Sequence, residues 1–160
     1  MTGISNGRMG MMLLVGTETI LFSSFIGVYI VLRAAASNWP PLGTPHLSLD
    51  LSSVNTAILL FSTIQVYRRR IGQTFLLGCL FLLLQALEFL RLYARGLTLQ
   101  TGTYGALFYT LITCHGLHVL GGLVILSVAF RKAAWVEYAE LYWHFVTGIW
   151  LVLFAVIYIV

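Results

Sequence analysis

The chain has 160 residues, of which 59% are hydrophobic and only 9% are charged, and its formal net charge is +4. A soluble domain carries about 25% charged residues, so this composition excludes an ordinary water-soluble globular protein and indicates an integral membrane protein. The basic residues flank apolar runs and form no patch interleaved with aromatic residues, so nucleic acid is not an expected partner.

Five apolar segments are long enough for membrane-spanning helices, which need about 20 residues to cross the hydrocarbon core. They predict an all-α membrane protein that forms one transmembrane domain over residues 1–160. The predicted helices cover residues 9–33, 51–67, 72–93, 104–130 and 138–160. The first apolar run is too long for the core of a signal peptide, which is roughly 7–15 residues, so we interpret it as a retained helix.

The connections between the predicted helices are short except for residues 34–50. That segment contains all three prolines, so it cannot be helical throughout. With five spans, the N-terminus and the connections at 68–73 and 131–137 share one side of the membrane.

The distribution of basic residues predicts the orientation of the chain. Six of the nine Lys and Arg residues lie on the side of the N-terminus and three lie on the other side. The six are Arg8, Arg68, Arg69, Arg70, Arg131 and Lys132, and the three are Arg33, Arg91 and Arg95. The positive-inside rule therefore predicts a cytoplasmic N-terminus and a periplasmic C-terminus in a bacterial-type cytoplasmic membrane.

Glu18 and His118 are expected at similar membrane depth, about 14 Å and 18 Å from the cytoplasmic helix ends at ~1.5 Å per residue. They can meet if the first and fourth helices pack together. An ionisable group at this depth is costly and commonly has a function. Glu18 has two functional interpretations, a proton-relay carboxyl and a contact with a lipid headgroup. The structural alternative is a neutral carboxyl that is hydrogen-bonded to a neighbouring helix.

His115 and His118 lie three residues apart on one helix face, which is a spacing compatible with a metal or haem ligand pair. A metal site needs more ligands than this pair, and only four histidines occur, one of them His46 in the 34–50 connection. Cys79 and Cys114 lie inside predicted helices without a CxxC or CxxCH pattern, which argues against a disulfide and a c-type haem. We therefore expect no metal in this chain. The alternative role of the histidines is hydrogen bonding across helices.

Two further polar or aromatic groups occur near the predicted helix ends. Gln85 and Glu88 share one face of the third helix, and we expect Glu88 to form an ion pair with Arg91 near the outer surface. Tyr138, Tyr142 and Trp143, near the start of the fifth helix, are interpreted as members of an aromatic belt at the membrane interface.

Six short motifs occur in the order found in one known family. They are TETILFSSFIGVYIVLR, NWPPLG, VNTAILL, LLQALEF, TYGALFY with CHGLHVLGG, and EYAELYWHFVTGIW. Each motif alone is weak, but together and in order they make the chain resemble the subunit III family of haem–copper oxidases, the cytochrome c oxidase subunit III family, in a short five-helix form. The matched polar and aromatic residues are Glu18, Gln85, Glu88, His115, His118, Glu137, Trp143, His144 and Trp150.

The resemblance implies a subunit without a catalytic centre, whose complex oxidises cytochrome c, reduces oxygen to water and pumps protons. Haem and copper are then expected in partner subunits I and II, and this chain would pack on subunit I and support proton uptake and stability. The resemblance also implies bound phospholipid, and it assigns Glu18, His115 and His118 to an intramembrane polar cluster with lipid contacts. It leaves open membership of a respiratory supercomplex.

The sequence departs from the family at three places, one of which is the short turn before the fifth helix, RKAAWVEYAE. It shows no counterpart of the first two helices of the seven-helix form, so we expect one wall of the lipid cleft to be missing or supplied by another chain. Thr147 stands where the family frequently has aspartate.

Three other functions remain as alternatives. The first two are the equivalent subunit of a quinol oxidase and a short homologue associated with nitric oxide reductase. The third is an independent small transporter that uses Glu18, but the spans lack the symmetry of the inverted repeats found in many transporters.

Overall fold

The structure is a computed structural model that describes residues 6–45 and 47–159. His46 lies outside the described residues. Within those ranges all regular secondary structure is helical, in five long helices. They are α1 (Asn6–Ala35), α2 (Leu49–Tyr67), α3 (Ile71–Ala94), α4 (Thr103–Arg131) and α5 (Val136–Phe154). A 3₁₀ turn, Ala133–Trp135, precedes α5, and a π-helical segment, Ala155–Ile159, continues it.

The five predicted membrane spans are confirmed. All five helices are long and apolar enough to cross a bilayer; α2 and α5 have 19 residues each, and the π-helical segment lengthens α5. At ~1.5 Å per residue, α2 reaches roughly 29 Å, close to the thickness of the hydrocarbon core. The chain is therefore an integral membrane protein.

Helices α2 to α5 form a four-helix bundle in which α2 packs on α3, α3 on α4, α4 on α5 and α5 back on α2. Helix α1 lies outside this bundle, against α5 and to a smaller extent α4. Only Phe22 and Tyr29 of α1 are buried. Few contacts hold α1 in place, so these contacts determine the position of any functional residue on α1.

The bundle is held together by a polar face of α2 that points inward. Lipid tails are as apolar as leucine side chains, so helices in a membrane associate through close packing and hydrogen bonds rather than through the hydrophobic effect. The buried residues of α2 follow helical spacing: Ser52, Asn55, Thr56, Leu59, Ser62, Gln65 and Val66.

Two tryptophans of α5 bind this polar face. The indole N–H of Trp143 donates to Ser62 Oγ and that of Trp150 donates to Thr56 Oγ1, each at 2.9 Å. The interpretation of Trp143 as part of an interfacial aromatic belt was wrong, since its side chain is fully buried, and Tyr142 is buried as well. Trp143 faces α2 rather than the membrane interface because its indole N–H, inside the bilayer, needs a protein hydrogen-bond partner.

Close approach of α3 and α4 to Trp143 depends on two glycines. A Cβ atom at Gly78 would lie 2.5 Å from the Trp143 ring, and one at Gly122 would lie 3.0 Å from it. Any larger residue at Gly78 would collide with a fully buried ring that has no room to move. The two glycines therefore leave room for the Trp143 ring at the centre of the bundle.

The connection between α1 and α2 is packed onto the bundle by Trp39. The Trp39 indole N–H donates to Tyr29 Oη at 3.2 Å, and the Trp39 ring meets the rings of Tyr29 and Tyr104 edge-on. Tyr29 belongs to α1 and Tyr104 to α4, so this contact ties α1 to the bundle at the end opposite its N-terminus.

Candidate functional site

Glu18 of α1 and His118 of α4 meet within the membrane-spanning part of the molecule. Glu18 Oε2 lies 2.8 Å from His118 Nε2, and the two side chains are 24% and 16% exposed. The sequence placed both residues at similar depth, and the structure brings them together. The pair joins the outlying helix α1 to the four-helix bundle.

An aromatic residue one turn along α1 shields the pair. Phe22 is fully buried, and its ring meets the His118 ring edge-on with the ring centroids 4.9 Å apart. Because residues four apart share a helix face, Phe22 and Glu18 both point from α1 towards α4 and α5. The same ring also lies 6.5 Å from Phe145 of α5. Apolar packing thus surrounds one side of the polar contact.

The other nitrogen of His118 determines how protons are arranged in the pair. His118 Nδ1 lies 2.7 Å from the backbone carbonyl oxygen of Cys114. A carbonyl oxygen can only accept a hydrogen bond, so Nδ1 carries the hydrogen. Nε2 then meets Glu18 Oε2 with one proton between them, either as a carboxylic acid that donates to a neutral imidazole or as an imidazolium that donates to a carboxylate.

Both arrangements of this proton have zero net charge. The pair therefore avoids an isolated charge in a low-dielectric environment, which would be costly. It can also release its shared proton or accept a second one, which leaves a single charge on the pair. Chemically, the site is a place where one proton is held between α1 and α4.

Tyr142 of α5 is a third polar group near the pair. Its side chain is buried and interacts electrostatically with Glu18. A Cβ atom at Gly121 of α4 would lie 3.4 Å from Tyr142 Oη, so the phenol reaches α4 at this glycine. Sequence reasoning missed this residue because a tyrosine near a helix start was read as interfacial. The adjacent glycines of α4 are the signal that could have indicated a close neighbour.

His115 does not join the pair. It is buried in the bundle, its ring lies 5.1 Å from Trp150 in a tilted arrangement, and the rings of Phe81 and Phe22 meet it edge-on at 6.0 Å and 6.4 Å. Neither ring nitrogen has a hydrogen-bond partner among the described residues. Phe22 of α1 thus lies against both histidine rings, but only His118 makes a polar contact with α1.

The three residues expected as one polar cluster are thus divided. Across residues 6–45 and 47–159, no three His, Cys, Asp or Glu side chains converge as a metal site requires. The absence of metal from this chain stays a prediction.

Glu88 forms a second polar contact, and the prediction that it forms an ion pair with Arg91 was wrong. Its carboxyl group is almost fully buried and accepts hydrogen bonds from Ser52 Oγ at 2.9 Å and 3.1 Å. Ser48 Oγ donates at 3.3 Å and Tyr158 Oη at 3.4 Å. Glu88 faces α2 and α5 because hydroxyl donors there compensate for its burial, whereas Arg91 acts on it only at longer range.

Gln85 shares the inward face of α3 with Glu88, as the spacing predicted. Its Oε1 accepts a hydrogen bond from Asn55 Nδ2 of α2 at 3.1 Å. Together the two residues fasten α3 to α2, which is a structural role.

The matched residues at the start of α5 lie apart from the Glu18–His118 pair. Glu137 forms an ion pair with Arg8 at 3.2 Å, with both side chains more than half exposed, so it contributes little to stability. His144 is exposed, and its Nδ1 lies 2.7 Å from the Glu140 carbonyl oxygen. Both residues line an open cavity of about 330 Å³ between the starts of α1 and α5.

The energetic coupling in the pair can be measured with a double-mutant cycle. Glu18→Leu and His118→Leu should each lower the free energy of unfolding by about 1–3 kcal/mol, because each leaves the other polar group without a partner. The double variant should cost less than the sum of the single variants by at least ~0.5 kcal/mol, because it leaves no unpaired group. Denaturant unfolding of the detergent-solubilised chain, followed by circular dichroism, measures these values.

Ser24→Leu, at an exposed position of α1, is the matched control and should be nearly neutral. Additive costs for the two substitutions would show that Glu18 and His118 are not coupled.

Comparisons with known proteins identify relatives along almost the whole chain. The sequence model of the family described as "Cytochrome c oxidase subunit III" matches residues 2–160. The chain is 35% identical to cytochrome c oxidase subunit 3 of Synechocystis sp., with 94% of this chain and 74% of that protein covered. It is 32% identical to the Thermostichus vulcanus protein, with 94% and 86% covered, and 31% identical to the Homo sapiens protein, with 94% and 68% covered.

Proposed function

The chain belongs to the cytochrome c oxidase subunit III family, and from this premise we propose that it supports proton uptake and stability of the oxidase without carrying out redox chemistry itself. Family membership associates it with an oxidase complex. Its relatives are named as cytochrome c oxidase subunits, which favours that complex over a quinol oxidase or a nitric oxide reductase.

The observation that carries the proposal is the 2.8 Å contact between Glu18 and His118 inside the membrane-spanning region. An intramembrane carboxyl group with a histidine partner is typical of groups that hold or pass protons. The shared proton can be exchanged at a position that is partly accessible from outside the chain, since both side chains retain some exposure. A neighbouring lipid headgroup or partner subunit could contact the pair at the same place.

We infer the partners from the family and from the small number of histidines that could bind haem or copper in this chain. We propose that it packs on the catalytic subunit I in a complex with subunit II, and that haem and copper are bound by those partners. Four histidines in the whole chain are too few for a haem–copper centre of its own. Phospholipid is proposed to cover the exposed apolar residues of α1, and membership of a respiratory supercomplex is compatible with this arrangement.

We also propose that the N-terminus is cytoplasmic in a bacterial-type cytoplasmic membrane, because six of the nine Lys and Arg residues lie on that side. Single cysteines introduced as Lys132→Cys and Gln100→Cys test this orientation in intact cells. A membrane-impermeant maleimide should label position 100 and leave position 132 unlabelled until the cells are opened. The reverse labelling pattern would overturn the orientation.

The proposed function is tested by Glu18→Gln in the complete oxidase. The amide keeps the size of the side chain and can donate a hydrogen bond to His118 Nε2, but it cannot hold or release the shared proton. The haem spectrum should be unchanged, while turnover slows or inactivation during turnover accelerates by about two- to tenfold, which corresponds to roughly 0.4–1.4 kcal/mol. Oxygen consumption and the visible spectrum of the purified complex measure both quantities.

Thr17→Ala, at the exposed neighbouring position of α1, is the matched control and should behave as the wild type. Loss of the haem spectrum in Glu18→Gln would indicate a role in assembly instead. A proton or solute flux carried by the purified chain alone in liposomes would contradict the subunit proposal and support the transporter alternative.

A further inference from the structure

Glu88 has the most deeply buried carboxyl group in the chain, and the function proposed above does not use it. Its side chain is 1% exposed, whereas the other Asp and Glu residues are partly or fully exposed. Glu88 lies six residues before Ala94, the end of α3, which corresponds to about 9 Å along the helix. In the proposed orientation this end of the bundle faces the periplasm. The site is separate from the Glu18–His118 pair, which joins α1 to α4.

Hydroxyl groups from three different segments contact the Glu88 carboxyl group. Ser52 belongs to α2, Ser48 is the residue just before α2, and Tyr158 belongs to the π-helical segment after α5. Such segments are rare and occur frequently at functional sites. In the part of the chain that the structure describes, no ion pair includes Glu88, and Arg91 acts on it only at longer range.

The distances of these contacts indicate that Glu88 is a neutral carboxylic acid. A hydroxyl group that donates to a carboxylate lies about 2.5–2.7 Å from it. Ser52 Oγ lies 2.9 Å and 3.1 Å from the two carboxyl oxygens, Ser48 Oγ lies 3.3 Å from Oε1, and Tyr158 Oη lies 3.4 Å from Oε2. All four distances exceed that range. A buried carboxylate without a contacting cation would also be costly inside the membrane.

Two of the hydroxyl groups connect Glu88 with the surface of the molecule. Ser48 is exposed, and its hydroxyl group contacts the carboxyl group directly. Tyr158 lines a cavity of about 240 Å³ between the end of α1, the connection from α1 to α2 and the π-helical segment. Ile159 lines the same cavity and is 67% exposed, so the cavity reaches the surface. A proton can therefore travel between Glu88 and water through a single hydroxyl group.

We propose that Glu88 is a proton-binding site that exchanges with the periplasmic side through Ser48 and Tyr158. On release, the O–H bond of the carboxyl group breaks and both electrons stay on Glu88. A hydroxyl oxygen of Ser48 or Tyr158 accepts this proton while the same hydroxyl group gives its own proton to water. The carboxylate left behind attracts the hydroxyl groups more strongly, so occupancy of the site is coupled to the position of the connection and of the π-helical segment.

The start of α2 favours a proton over a metal cation at this site. Ser48 is the N-cap residue of α2, so Glu88 lies next to the positive end of the helix dipole. This partial charge repels a cation. It also lowers the cost of the carboxylate that remains after the proton has left, so both protonation states are accessible.

Charged and titratable groups around Glu88 come from four elements. Arg91 lies on α3 itself, Tyr158 on the π-helical segment, and Asp50 is exposed in the first turn of α2. Arg33 of α1 lines the same cavity as Tyr158. The positive charges of Arg91 and Arg33 favour release of the proton, and the negative charge of Asp50 opposes it.

Infrared spectroscopy of the purified oxidase complex tests the protonation state. A protonated carboxyl group has a C=O stretching band that moves to lower frequency in D₂O. Near neutral pH the wild type should show such a band that is missing in Glu88→Gln. Asp50→Asn removes an exposed carboxyl group and is the matched control, which should keep the band. If Glu88→Gln fails to assemble, Ser52→Ala keeps the carboxyl group but removes its nearest partner, so the band should move to higher frequency.

The rate at which the band moves after transfer to D₂O measures access to Glu88. The double variant Ser48→Ala with Tyr158→Phe removes both connecting hydroxyl groups, so it should keep the band but slow its movement severalfold. Ser53→Ala removes an exposed hydroxyl group of α2 that does not contact Glu88 and should exchange like the wild type.

Three results would overturn the proposal. The first is a Glu88→Gln spectrum without loss of a protonated carboxyl band, because Glu88 would then be ionised in the wild type. The second is an unchanged exchange rate in the double variant. The third is a band that appears only when Na⁺ is removed from the buffer, which would identify a cation site. A normal turnover rate in Glu18→Gln would contradict the proposed function without affecting this site, and the maleimide labelling decides independently which side the site faces.

Discussion

The bilayer core contains no water that could satisfy buried polar groups, and the construction of this protein follows from that constraint. Two hydrogen bonds join α2 to α3, from Ser52 to Glu88 and from Asn55 to Gln85. Trp143 and Trp150 of α5 donate to Ser62 and Thr56 on the polar face of α2. Because the hydrophobic effect does not hold helices together in lipid, these bonds and the close packing at glycines determine the arrangement of the four-helix bundle.

Helix α1 depends on far fewer contacts than the other helices. One end is fastened by Trp39 through Tyr29 and Tyr104, and the middle by the Glu18–His118 pair with Phe22. Glu18 and His118 therefore both hold α1 against the bundle and carry the shared proton. A neutral pair that holds one proton stabilises the attachment of α1, and any change in its protonation introduces a charge between α1 and α4. This links the proposed support of proton uptake to the stability of the subunit.

The sequence allowed the helices to be predicted well, because a run of apolar residues directly reports a membrane span. The similar depth of Glu18 and His118 was also predictable, since depth along a helix follows from residue count. Whether the two residues touch was not, because that depends on which helices pack together. The rotation of each helix about its own axis could not be predicted, because helices that are apolar nearly all round do not indicate which face points inward. For that reason Trp143 and Tyr142 were misread as interfacial, and Glu88 was paired with Arg91 instead of Ser52. His115 was grouped with His118, although neither ring nitrogen of His115 has a hydrogen-bond partner among the described residues.

The central claim is that Glu18 and His118 share one proton while Nδ1 of His118 donates to the Cys114 carbonyl. Solid-state nitrogen NMR of the ¹⁵N-histidine-labelled protein in lipid tests it most directly. The account predicts a protonated Nδ1 and an Nε2 signal that shifts in Glu18→Gln. An Nδ1 without a proton, or an Nε2 signal that is the same in both proteins, would contradict it.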